Sequence, residues 1–173
     1  MIEIEVSHES ARALEEQLQA LKGERVYAAM SAAAKRAASH AKRIGTKHVR
    51  QTYTIDAASI KAATSIKGTQ GGAILRIAGP RKSAGHYKAK KHKSGIFVSI
   101  KKGSGNIVPR SFAYSNTFWK REKGVPRLPI ERIFGPAVPQ LFGNDAIKEE
   151  VASEAMMKYE ERIRHEVGRL IGG

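Results

Sequence analysis

The sequence predicts an α+β fold: N-terminal helices and a long C-terminal helix packed on a small antiparallel sheet with a basic hairpin. Three observations predict it. Apolar residues recur at helical spacing over 24–44 and again over 145–170. Short runs of β-forming residues between them end at glycine or proline, as at Ala73–Ala78 before Gly79-Pro80. No internal repeat or low-complexity tract breaks the 173 residues, so one domain is the economical reading.

Each element has its own signal. Ile2, Ile4 and Val6 alternate with Glu3 and Glu5, a short strand with one buried face. Ser7 or Ser10 suits the cap of a helix running to about Leu21, with Gly23 at its stop. A longer helix follows from Glu24 to about Ile44 or beyond. Val26, Met30, Ala33, Ala37, Ala41 and Ile44 form its apolar stripe, and so much alanine implies a close neighbour. Arg25, Arg36, Arg43, Lys47 and Arg50 fall on an adjacent stripe, either a solvated face or a basic ridge. Residues 52–66 are ambiguous, with Asp56 placed to cap a short helix over DAASIKAA.

Residues 81–93, RKSAGHYKAKKHK, predict an exposed, mobile basic loop because they offer almost nothing to bury. Gly95–Lys101 reads as a strand with Ile96, Val98 and Ile100 on one face. KGSGN makes the turn, its glycines read as positive-φ positions, and Pro109 confines the return strand to an edge or an early end. Phe112–Tyr114 reads as more extended chain. Pro126 and Pro129 hold an extended approach, and Pro136 suits the first residue of a short helix toward Leu141 and Phe142. The last helix runs from about Asp145 to Leu170 on Ala152, Met156, Tyr159, Ile163, Val167 and Leu170.

Composition narrows the function. There is no cysteine, which excludes a disulfide framework, a thiolate metal site and a cysteine nucleophile. No signal peptide or membrane-spanning run is visible, so the expected setting is the cytoplasm until the chain joins an assembly. Net charge is +15, which attracts nucleic acid or acidic protein surfaces.

No motif points to catalysis. The six histidines (His8, His40, His48, His86, His92, His165) form no HExxH pair and read as surface residues. The glycine clusters match neither a P-loop nor GxGxxG, and the two PxxP matches read as structural. No GxSxG occurs, although a Ser-His-acid meeting in space stays open. The carboxylates of the last helix read as solvated surface. No cofactor, metal or catalytic residue is expected, and hydrolase or nuclease chemistry lacks an acidic metal-binding cluster.

Two sets of residues are candidate contacts. Arg81, Lys82, Lys88, Lys90, Lys91, Lys93, Lys101 and Lys102 fall within 22 residues, with Tyr87 and Phe97 interleaved. Basic side chains and an aromatic are what a non-specific strand contact uses, and they equally fit an acidic protein ring. Leu128, Ile130, Ile133, Phe134, Leu141 and Phe142 put large apolar groups into an irregular segment, either a packed loop or a subunit-binding surface.

The order of these pieces resembles the minor tail protein Z family of tailed phages and prophages. HKSGIFVSIKKGSGNIVPRSFAY at 92–114 is similar to that family's basic strand, Gly-rich turn and return. SNTFWKREKG follows, then RLPIERIFGPAVPQLFG, in which Leu128, Pro129, Ile130, Arg132, Phe134, Gly135, Pro136, Val138 and Pro139 fit the family's order before a final amphipathic helix. The resemblance is most specific over 92–144 and adds little over 46–72. It implies a non-enzymatic minor tail component. Such a protein completes the tail at its head-proximal end, joins head to tail or positions the DNA end. It implies other tail or head-tail connector proteins as partners, self-association into a ring, and possible contact with phage DNA, with no membrane. The alternative is a non-specific nucleic-acid-binding protein outside the virion.

Overall fold

The structure is a computed structural model, and it describes residues 2–6, 23–115, 117–124 and 127–171. The fold is α+β, with two long helices and small antiparallel sheets. The helix expected over 7–21 lies outside the described residues. The chain divides into two compact units. The first comprises Met1–Gly45, Thr64–Ala78 and Phe142–Gly173, the second Thr46–Ala63 and Gly79–Leu141.

The first unit is built on a three-stranded sheet of β1 (Ile2–Val6), β2 (Thr64–Thr69) and β3 (Gly72–Ile77), in the order β1-β3-β2. Leu75 is the central rung, opposite Ile4 and Ile66. Helix α1 (Glu24–Thr52) is long, as its pattern predicted. Ala33, Ala34, Ala37, Ala38 and Ala41 have no exposed surface, so the alanines do bring a neighbour close, while Ile44 is only half-buried. Ser31 and Lys42 donate to the Thr69 and Thr64 carbonyls of β2, at 3.3 and 2.9 Å.

The C-terminal helix, labelled α4 (Asp145–Ile171), packs in the same unit. Its buried stripe is Ile147, Val151, Ala155, Tyr159, Ile163 and Val167. The expected Ala152 is exposed and Met156 only half-buried. Val151 takes the place because it meets α1 where Gly45 leaves room: a Cβ on Gly45 would lie 2.5 Å from the Phe142 ring and 3.1 Å from Val151 Cγ2. The carboxylates of α4 are not all solvated. Glu166 is 7% exposed and held by Arg36 and Arg169, each at 3.2 Å. Glu154 meets His40 Nε2 at 3.1 Å.

The second unit holds the remaining strands. The 81–93 segment is not a loop. It forms β4 (Arg81–Ser83), a 3-10 turn at Ala84–His86 and β5 (Lys88–His92). β5 pairs antiparallel with β6 (Gly95–Ser99), which pairs with β7 (Asn106–Pro109). The ladder and the apolar residues of β6 supply what the basic segment lacks, and lysines on an edge strand also discourage further strand pairing. Pro109 ends β7, an edge strand as expected.

The β6–β7 turn uses its two glycines differently. Gly103 takes φ +76°, the conformation expected of it. Gly105 is needed for space instead, because a Cβ there would sit 2.4 Å from the Phe97 ring. Ser99 closes the turn with its hydroxyl 2.6 Å from the Ser104 carbonyl.

A second sheet follows, β8 (Ser111–Tyr114), β9 (Thr117–Arg121) and β10 (Ile130–Arg132), in the order β10-β9-β8. β11 (Phe134–Ala137) returns to pair with β4. Pro136 therefore lies in a strand, and the short helix α3 starts two residues later, at Val138–Phe142. Ala84, Ile96 and Ile133 form the core of this unit, with Ala89, Val98, Val108, Ala113 and Phe118 packed against it.

Between residues 52 and 64 the ambiguous segment resolves as helix α2 (Ala57–Ala63). Asp56 caps it as predicted, its Oδ1 accepting from the Ser59 backbone NH at 2.6 Å.

Candidate polyanion-contact surface

Charge separates between the two units. The second carries 17 Lys and Arg against three Asp and Glu, a net +14, while the first carries 14 against 13, a net +1. Nearly all of the +15 thus belongs to the β-rich unit. A field that concentrated attracts a polyanion more strongly than the same charge spread evenly.

Six of the eight basic candidates lie on or beside the β5–β6 pair. Lys88, Lys90 and Lys91 belong to β5, Lys93 to the tight turn after it, and Lys101 and Lys102 follow β6. All six are exposed, and none forms an ion pair among the described residues. Thr54 ties the two ends of this ridge: its hydroxyl donates to the Ser99 carbonyl at 2.5 Å and accepts from Lys88 NH at 3.2 Å. Nearby, Lys102 NH donates to the Thr52 carbonyl at 2.9 Å. The backbone under the charges is therefore held while the ammonium groups reach solvent.

Arg81 and Lys82 stand apart, on the β4–β11 pair. Arg81 Nε donates to the Gly135 carbonyl at 3.3 Å, and its guanidinium lies 5.8 Å from the Phe134 ring centre. These two meet in an open groove of about 570 Å³, which Ile133 and Val108 also line. The groove joins one basic candidate to two apolar ones.

The other apolar candidates differ in accessibility. Ile133, Leu141 and Phe142 are buried, and Ile130 is half-buried. Leu128 and Phe134 are exposed, at 66% and 42%. Packing thus accounts for three of the six, and Leu128 and Phe134 are the most available to a partner.

The aromatics interleaved with the lysines are structural. Tyr87 is buried, donates to the Pro136 carbonyl at 2.8 Å, and fills the space left by Gly135, whose Cβ would lie 2.5 Å from its ring. Burial, with the Asp56 charge nearby, pushes the Tyr87 phenol up to about 12. Phe97 is half-buried against Gly105.

An accessible aromatic comes from elsewhere. Tyr114, 70% exposed, stands at the end of β8 beside Ser115, which takes φ +48°. With Lys90, Lys91, Ala89, Ala113 and Phe118 they line an open groove of about 660 Å³. Only the strand tendency of Phe112–Tyr114 was visible in the sequence. The meeting of β5 with β8 requires the fold.

A serine, a histidine and an acid do meet. Ser59 Oγ and His86 Nδ1 each lie 2.8 Å from Asp56 Oδ2 and 2.9 Å from each other. A nucleophile relay needs opposite ring nitrogens facing serine and acid. Here one nitrogen faces both, Ser59 is 4% exposed, and the carboxylate caps α2. Burial works to raise the Asp56 pKa. Hydrogen bonds from Ser59 and His86, with the His86 charge, outweigh it and hold the carboxyl below its usual range. The cluster is a helix cap tied to the 3-10 turn.

Among the described residues no group of three or more His, Cys, Asp or Glu is placed to hold a metal ion. Nor is any described helix long and apolar enough to cross a membrane. No family model, characterised protein or solved structure significantly matches the chain.

Proposed function

We propose that the chain is a structural component of a bacteriophage or prophage tail. It acts at the head-proximal end in tail completion, head-tail joining or DNA-end positioning. The observation that carries this reading is the ridge of six lysines that form no ion pair among the described residues, set on a unit of net +14. Such a ridge suits a phosphate backbone or an acidic ring of a neighbouring protein. The residue order over 92–144 supports the tail assignment through its resemblance to the minor tail protein Z family. The exposed Leu128 and Phe134 suit subunit or connector contacts, including self-association into a ring. The protein works through these surfaces rather than by catalysis, in the host cytoplasm before assembly and in the virion tail afterwards.

Immunogold labelling of particles from the induced source strain tests this. Label at the head-proximal tail end is expected. Plentiful tails without label, with the protein free in the lysate, would refute it. The same charge concentration favours a second reading, a non-specific nucleic-acid-binding protein outside the virion. That reading predicts tight binding of short duplex DNA by the monomer with a steep salt slope.

A further inference from the structure

We infer that the groove between β5 and the end of β8 binds single-stranded nucleic acid. Its bases lie against Tyr114 and Phe118, and its phosphates meet Lys90 and Lys91. The inference rests on the reading that the lysine ridge faces a polyanion, and it names which polyanion.

Charge selects the sign of the ligand. Lys90 and Lys91 are exposed, form no ion pair among the described residues, and both line the groove. Ammonium groups are compact point charges, well suited to phosphate oxygens. Shape and surface chemistry select further. The volume, about 660 Å³, lies within the range of roughly 300–1,000 Å³ typical of clefts for small organic groups. Ala89, Ala113 and Phe118 give its lining apolar surface, and Tyr114, also in the lining, is 70% exposed. An exposed aromatic beside exposed lysines is what stacks a base while its backbone is neutralised.

A duplex would leave half of these features unused. Its bases are already stacked and paired, so it offers only phosphates to the lysines. An acidic peptide would match the charge but not the stacking wall. Its carboxylates would meet the lysines, and its aliphatic acidic side chains would leave Tyr114 without a stacking partner.

The test is fluorescence anisotropy of the whole chain with a labelled oligo(dT) and a labelled duplex at matched ionic strength. The variants are Tyr114→Ala and the pair Lys90→Ala/Lys91→Ala. Tyr114 is exposed, so its substitution leaves the fold intact, which circular dichroism and melting verify. Oligo(dT) is expected to bind tighter than the duplex. Tyr114→Ala should weaken oligo(dT) roughly 5- to 150-fold and leave the duplex unchanged, and the lysine pair should weaken both. Equal or tighter duplex binding, an unaffected Tyr114→Ala variant, or polyglutamate competing as well as oligo(dT) would each overturn the inference. Any of these results together with label at the tail end removes this inference and leaves the tail reading standing. Absence of label with a strand preference does the reverse.

Discussion

Reversing the charge of Lys90, Lys91 and Lys93 together separates the electrostatic role of the ridge from its structural one. Each lysine is exposed and none has an ion-pair partner among the described residues, so three glutamates remove no described ion pair. The net charge of the second unit falls from +14 to +8. Surface changes of this kind alter stability by within about 0.5 kcal/mol each. Relief of repulsion among 17 cations and three anions acts in the stabilising direction. The melting temperature is therefore expected to hold or rise slightly. Polyanion binding should respond strongly. Each lysine on a phosphate contributes about 0.7 to 0.9 to the slope of log K against log salt, so three contribute roughly 2 to 3. A salt titration with a nucleic acid reads that slope directly, and particle infectivity reads the assembled role. An unchanged slope with normal infectious particles would refute the electrostatic reasoning. A large drop in melting temperature would show instead that the lysines hold the fold.

Three further outcomes follow from packing and capping. Gly45→Ala gains about 1 kcal/mol of helix propensity. It also drives a methyl to 2.5 Å from the buried Phe142 ring, where overpacking costs about 1–3 kcal/mol, so thermal unfolding should show a net loss; a stabilised variant would refute the contact. Phe134→Ala should lower stability by about 1–2 kcal/mol, because the ring is 42% exposed and a fully buried one is worth about 3–5. An unchanged melting temperature together with unchanged particle assembly would count against both its packing and its contact role. Asp56 is held below its ordinary value of 3.8, so its contribution is complete above that pH and is lost as pH falls through the folded value. Asp56→Ala should cost about 1 kcal/mol near neutrality. Asp56→Asn should keep much of the cap yet flatten the loss of melting temperature below about pH 3.8. A curve parallel to that of the unsubstituted chain would show that Asp56 does not titrate with folding.

How far the chain could be read in advance depended on where each stabilising partner lies. The long helix α1 was legible because its alanines repeat within the helix itself. Asp56 was legible as a cap because Ser59 is three residues away, whereas His86, which completes the cluster, is 30 away and gave no local signal. β5 was missed for the same reason. KAKKH has almost nothing to bury, and its strand state comes from pairing with β6, whose Ile96 is buried. Tyr87 looked like a contact aromatic among lysines. The vacancy that takes its ring is at Gly135, 48 residues on. The stripe of α4 slipped at its start because helical period admits Ala152 as readily as Val151, and the choice is made by Gly45 and Phe142. The contact surface divides in the same way. Its basic candidates and their sign were visible as local composition. Which lysines line a groove with an exposed tyrosine was not, because β5 and β8 are brought to that groove only in the folded unit. Charge alone therefore favours a polyanion as the proposed partner. The proposed distinction between a strand, a duplex and an acidic protein rests on Tyr114, a residue outside the basic set that stands 23 positions beyond Lys91.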